Sequence, residues 1–164
     1  QFRRPVIAAV NGVTVAGGLE LMLTADLVYA AASARIGDGH VKFGVIPGGG
    51  STARLSRRLP FNVASDLLLT GRLADPVELA AHGLVNAVLP DDQLEAQVQQ
   101  TALRIAGHSA DGLARIKALH ARARDRGLDD ALATEVRALL DYARGPDLLE
   151  GLTAFVEKRT PRFT

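Results

Sequence analysis

The stretch VIAAVNGVTVAGGLELMLTA, residues 6–25, decides how the rest of the chain is read. Val6 to Val10 are five consecutive apolar residues, the pattern of a buried strand, and the turn pair Asn11-Gly12 stops them. From Gly17 to Ala25 the period becomes helical, with Leu19, Met22 and Leu23 on one side. Leu27 to Ala31 is a second short apolar run, and Ala34-Arg35-Ile36 is a candidate third. Short, all-apolar runs separated by a helix favour an α/β fold, a sheet whose faces are covered by helices.

Working outward, Pro47 and the glycines of GVIPGGGSTARL interrupt the chain, and Ser51 is a candidate N-cap for a helix running to Leu59. Pro60 ends that helix, and a further one over Phe61 to Leu69 has Gly71 at its C-terminal stop. Pro76 suits a first helical turn, and Gly83 closes that helix ahead of LVNAVLP. The remainder reads as helical. Its apolar stripes are Leu94, Val98, Ala102 and Ile105; then Leu128, Leu132, Val136 and Leu139; then Leu148, Leu149, Leu152, Phe155 and Val156.

The chain has 164 residues, 48% of them hydrophobic and 23% charged, which suits one folded core rather than several. A net charge of +1 with no like-charge block argues against nucleic acid or an anionic membrane as partner. With no cysteine there is no thiolate chemistry or disulfide framework, and four scattered histidines make no metal-binding pattern. No apolar run approaches the length of a membrane span, so the cytoplasm is the expected location. The opening Gln1-Phe2-Arg3-Arg4-Pro5 runs straight into a strand, and the expectation is a portion of a longer polypeptide or a chain accompanied by another.

Two glycine-rich turns carry the candidate chemistry. The second does not fit a phosphate loop, because Gly50 stands where the lysine should be. At the first, Gly17-Gly18 let a ligand approach backbone N–H groups that have no intrahelical partner, and Glu20 follows within the first turn. The alternative is close helix packing with a solvated first-turn acid. His40 lies in the glycine-rich loop IGDGHVKFGVIPGGGST, and Asp38 is near enough to orient it if the turn at Gly39 allows. Otherwise His40 packs at a sheet edge and Asp38 caps a turn. The nucleophile-elbow pattern G-x-S-x-G is absent, so Ser51 is read as a cap rather than a nucleophile.

In series, RPVIAAVNG, AGGLEL, GVIPGGGSTARL, LLLTGR, AAHGLVNAVLP and EGLTAFVEKRTPRF resemble the enoyl-CoA hydratase/isomerase family, the crotonases. The resemblance implies a crotonase-like (ClpP/crotonase) spiral of β-β-α units with a helical C-terminal region. Residues 1–90 would be a truncated core and 91–164 the trimerisation region of the same domain. It implies an acyl-CoA substrate, coenzyme A only as part of that substrate, and a homo-oligomer that is a trimer or a dimer of trimers. Gly17 takes the place of an oxyanion-hole donor and Glu20 that of the first catalytic glutamate. His40 stands where the hydratases carry their second acid. Gly17, Gly18, Pro47 and Gly48 are the implied coenzyme-binding positions, and no metal is implied. The loop bearing the other oxyanion donor falls outside the chain, so these residues in isolation are not expected to turn over an enoyl-CoA. The leading expectation is hydration of a 2-enoyl-CoA. The alternatives are another crotonase reaction (isomerase, decarboxylase, or thioester or C–C hydrolase) and a non-catalytic CoA-ligand-binding member.

Overall fold

The computed structural model describes residues 2–164, which form two compact units: Val6–Gln100, and the residues up to Pro5 together with Thr101–Thr164. The first unit repeats one motif twice. Strand β1 (Ile7–Val10), strand β2 (Val13–Val15) and helix α1 (Gly17–Met22) are followed by β3 (Leu27–Ala31), β4 (Arg35–Gly37), a 3-10 turn (His40–Phe43) and α2 (Ser51–Arg58). The repeats stack in register: β1 pairs parallel with β3, Ile7 opposite Leu27, and β2 pairs parallel with β4, Val13 opposite Arg35. Helices α3 (Phe61–Thr70) and α4 (Pro76–Ala81) then lead to β5 (Ala87–Leu89), which extends the first sheet beside β3. This is the β-β-α stacking that the resemblance implies.

Several boundaries differ from the sequence reading, each for a local reason. Residues 13–15 form a strand that the apolar pattern does not announce, because Val13 and Val15 are exposed. Their β-branched side chains favour the pleated backbone even without burial. Strand β1 is less buried than five apolar residues suggest; only Val10 is buried, since β1 is the edge strand of its sheet and β3 the centre. Helix α1 stops at Met22 rather than Ala25, its end tightened by Thr24 N–H donating to Leu21 O and Ala25 N–H to Met22 O. Leu19, Met22 and Leu23 are nevertheless all buried, packed with Val28, Ile36, Leu55, Leu67 and Leu79 in one aliphatic core. Burying each such leucine contributes about 1.5–3 kcal/mol.

The two glycine stops behave as read. Gly71 (φ 65°) and Gly83 (φ 77°) adopt the left-handed conformation that ends a helix cheaply only in glycine. Asp75 caps α4, accepting from Val77 N–H at 2.9 Å, with Pro76 as the first helical residue.

Helix α5 (Leu94–Ala106) crosses from the first unit into the second, which holds α6 (Ala110–Ala123), α7 (Leu128–Tyr142) and α8 (Pro146–Glu157). Ser109 caps α6, accepting from Gly112 N–H at 3.0 Å, and its hydroxyl donates to the buried carboxylate of Asp147. Asp147 also accepts from Thr164 N–H at 3.2 Å, tying the last residue back onto α8. The stripes on α7 and α8 remain uncovered in the single chain: Leu128, Leu132, Val136 and Leu139 are exposed, as are Leu149, Leu152, Phe155 and Val156. Among the described residues no helix is long and apolar enough to cross a membrane.

Candidate active site

The site is assembled at one end of the small β2–β4 sheet. Because the two strands run parallel with Val15 opposite Gly37, the chain leaves both at the same end. From β2 it enters α1, which carries Gly17, Gly18 and Glu20; from β4 it enters the turn that carries Asp38 and His40. Ala16 N–H donates to Asp38 O at 2.8 Å and locks the two exits together. Ala16 itself has φ 51°, a left-handed value that is strained for a residue with a Cβ. Such strain, of order 1–3 kcal/mol, persists only where surrounding bonds hold it.

Gly17 is the first residue of α1, so its N–H has no intrahelical acceptor, and beyond its chain neighbours and its own helix backbone no heavy atom stands within 4 Å of where a Cβ would be. The backbone there is open to a ligand. Gly18 sits against the Thr14 methyl, its would-be Cβ 3.6 Å away.

Glu20 joins the two glycine turns. Its Oε1 accepts from Gly49 N–H at 2.6 Å and from Ser51 N–H at 3.3 Å. The carboxylate thus occupies the positive end of α2 from outside that helix. Gly49 permits this only because it lacks a side chain: a Cβ would lie 2.5 Å from Glu20 Oε2 and 2.8 Å from its Cδ. Oε2 has no partner among the described residues.

The expected capping role of Ser51 is corrected by the same geometry. Gly50, at φ 114°, is the N-cap of α2, and Ser51 is the first helical residue. No side chain caps α2 in the usual way; Glu20, from another helix, accepts from the N–H of Ser51, its first residue. The Ser51 hydroxyl is fully buried and has no hydrogen-bond partner among the described residues.

His40 is held from the other side. Its Nδ1 lies 3.1 Å from Asp38 Oδ1, and its backbone N–H donates to Asp38 Oδ2 at 3.3 Å. Asp38 is completely buried. Gly39 makes the turn between them at φ 69°, with its Cα against Val15; a Cβ would come within 2.5 Å of the Val15 methyl. Pro47 and Gly48 lie on the loop between this turn and α2, Pro47 half-buried and Gly48 exposed, immediately before the Gly49 N–H that holds Glu20.

Chemically, then, the segments that leave this sheet end carry a helix N–H without an intrahelical acceptor, a carboxylate with one oxygen held and one unpartnered, and an imidazole backed by a buried carboxylate. The sequence reading named each of these residues. It did not anticipate that Gly49 and Ser51 donate to Glu20, a pairing across about thirty residues that leaves no local signal.

The chain is similar to known proteins along its whole length. The family model described as enoyl-CoA hydratase/isomerase matches residues 1–164. A Mycobacterium bovis protein named probable enoyl-CoA hydratase echA8 is 40% identical over 99% of this chain and 63% of its own length. The 2,3-dehydroadipyl-CoA hydratase of Escherichia coli is 36% identical over 99% of this chain and 64% of its own. The crystal structure of enoyl-CoA hydratase from Bacillus anthracis superposes with a TM-score of 0.95 at 37% identity, covering 99% of this chain and 63% of that one. The chain therefore spans a little under two thirds of the relatives it matches. Its stacked β-β-α repeats, its glycine turns and its similarity along the whole of its length place it in the enoyl-CoA hydratase/isomerase family, with the crotonase fold.

Proposed function

We propose that this protein hydrates 2-enoyl-CoA thioesters, with Glu20 as the group that moves the proton. The observation that carries the reading is the Glu20 carboxylate itself. Gly49 and Ser51 hold Oε1 in place, Oε2 is unpartnered, and the whole group sits one turn from the open N–H of Gly17. In this reading Gly17 N–H donates to the thioester carbonyl oxygen, as its place in the family pattern implies. Water bonds through oxygen to C3 as Glu20 Oε2 takes one of its protons. The C2–C3 π pair moves toward the carbonyl, giving an enolate, and the proton on Oε2 is returned to C2. The carbonyl re-forms and Glu20 ends as it began.

Coenzyme A enters only as part of the substrate, along Gly17, Gly18, Pro47 and Gly48, and no permanently held cofactor is invoked. Residues 91–164 act as the trimerisation region of the same domain that residues 1–90 begin. The exposed apolar faces of α7 and α8 support that assignment, since faces of this kind on a soluble chain mark contact surfaces. A cytoplasmic enzyme without nucleic-acid or membrane partners completes the proposal.

The resemblance itself offers a second reading. It implies an imidazole, His40, in the place where the hydratases carry their second acid, which suits another crotonase reaction, such as thioester or C–C hydrolysis, as well as hydration. Incubating the intact full-length protein with crotonyl-CoA separates the two. Loss of the conjugated enoyl absorbance without release of free coenzyme A supports hydration; thiol release supports hydrolysis, and neither outcome points to a binding protein.

A further inference from the structure

We infer that Asp38 is a positioning residue that fixes His40 in the tautomer protonated on Nδ1, so that Nε2 offers only a lone pair to the site. The catalytic consequence rests on the hydratase reading above; the tautomer does not.

Three observations carry it. The Asp38 side chain is buried, and both of its oxygens face His40, Oδ1 at 3.1 Å from the ring and Oδ2 at 3.3 Å from the backbone N–H. An ionised carboxylate only accepts hydrogen bonds, so the neutral ring must keep its single proton on Nδ1. His40 Nε2 has no partner among the described residues. The turn is also not free to swing away. Gly39 is packed on Val15 in a left-handed conformation, and Asp38 O accepts from Ala16 N–H at the head of α1.

A second carboxylic acid could bring a proton of its own to the substrate. His40 in this tautomer cannot. The attacking water then donates one O–H to His40 Nε2, which orients it, and gives its other proton to Glu20 Oε2. The proton that reaches C2 is the water's own, so one water supplies both the hydroxyl at C3 and the hydrogen at C2. His40 touches the reacting water; Asp38 acts through His40.

Nitrogen-15 spectra of the full-length protein labelled at histidine, followed across a pH series, test this directly, with His40→Gln identifying the resonances. A protonated Nδ1 and a bare Nε2 are expected. Asp38→Asn should reverse them. The backbone N–H of His40 needs an acceptor, so the new amide must turn its oxygen there and its NH2 toward the ring. With crotonyl-CoA that variant should lose kcat by at least about tenfold while KM stays within about twofold. A ring protonated on Nε2 in the unaltered protein overturns the inference even if hydration is fast, and this spectrum decides the matter should Asp38→Asn fail to fold. A ring protonated on Nδ1 in a protein that hydrates no enoyl thioester leaves the tautomer standing and removes the hydratase reading instead. An Asp38→Asn variant with reversed tautomer and unchanged kcat overturns the catalytic role.

Discussion

Replacing Gly49 by alanine tests whether the grip on Glu20 matters. The new Cβ would fall 2.5 Å from Glu20 Oε2, a separation that carbon and oxygen do not tolerate. Gly49 does not have a left-handed φ, so its backbone accepts alanine and the side chain of Glu20 is what yields. To restore ordinary contact the carboxylate must retreat by about 0.5–0.9 Å, beyond the ~0.5 Å tolerance of a working site. A displacement approaching 1 Å costs on the order of 10²-fold in rate. Stability changes less. Weakening the N–H bond to a charged oxygen removes about 1.5–3 kcal/mol, while the restricted unfolded chain returns about 0.4–1 kcal/mol. The net is a loss of about 0.5–2.6 kcal/mol. Steady-state hydration of crotonyl-CoA and a denaturant titration read the two effects separately. Gly12→Ala is the control, since no atom lies within 4 Å of its Cβ position. A Gly49→Ala enzyme with normal kcat, or one in which Glu20 is seen unmoved, would show that the Gly49 contact does not set the position of the carboxylate.

Glu20→Gln should lower kcat by about 10²–10⁴-fold with little change in melting temperature. Gly37→Ala should be harsher on the fold than on the chemistry. Its Cβ would meet the backbone oxygen of Arg72 at 2.2 Å, and backbone cannot step aside as a side chain can; a loss of about 1–3 kcal/mol is expected in a thermal melt. In the helical unit, Arg159 donates to both oxygens of Glu150 and Arg162 N–H adds a third bond, holding that carboxyl at about 2 instead of 4.5. A depressed folded value means the stabilisation is complete above pH 4.5 and is lost as pH falls from there toward 2. Hydrogen exchange along α8 should therefore loosen over that window, and Glu150→Gln should weaken the dependence, the remainder coming from Asp147, whose carboxyl is also held low by Ser109 and Thr164. Sedimentation of the intact protein at tens of micromolar should show a trimer or a dimer of trimers; a monomer would contradict the role given to the faces of α7 and α8.

What was legible in the sequence follows the range of the interactions. The apolar core positions Leu19, Met22, Leu23 and Val28 announce themselves, because burial imposes a local period. Gly71, Gly83 and Pro76 announce helix ends for equally local reasons. Strand β2 does not, since its valines face outward and its pairing is with β4 some twenty residues on. The role of Ser51 was misjudged for the same reason. A serine at a helix start is usually a cap, but here the acceptor arrives from Glu20, which lies on another helix. Glu20, His40 and the glycines were legible as chemistry through the family pattern. The anchoring of Glu20 by Gly49 is a long-range fact that spacing alone could not supply.

On the proposed reading, a carboxylate held by Gly49 and Ser51 adds water across an enoyl thioester. Product analysis after turnover of crotonyl-CoA in heavy-oxygen water, with the full-length protein and its Glu20→Gln variant, tests this. One heavy oxygen in the C3 hydroxyl of an intact CoA thioester is expected, and almost none of that product from the variant. Heavy oxygen in a free carboxylate, or the same labelled thioester formed equally fast without the Glu20 carboxylate, would contradict it.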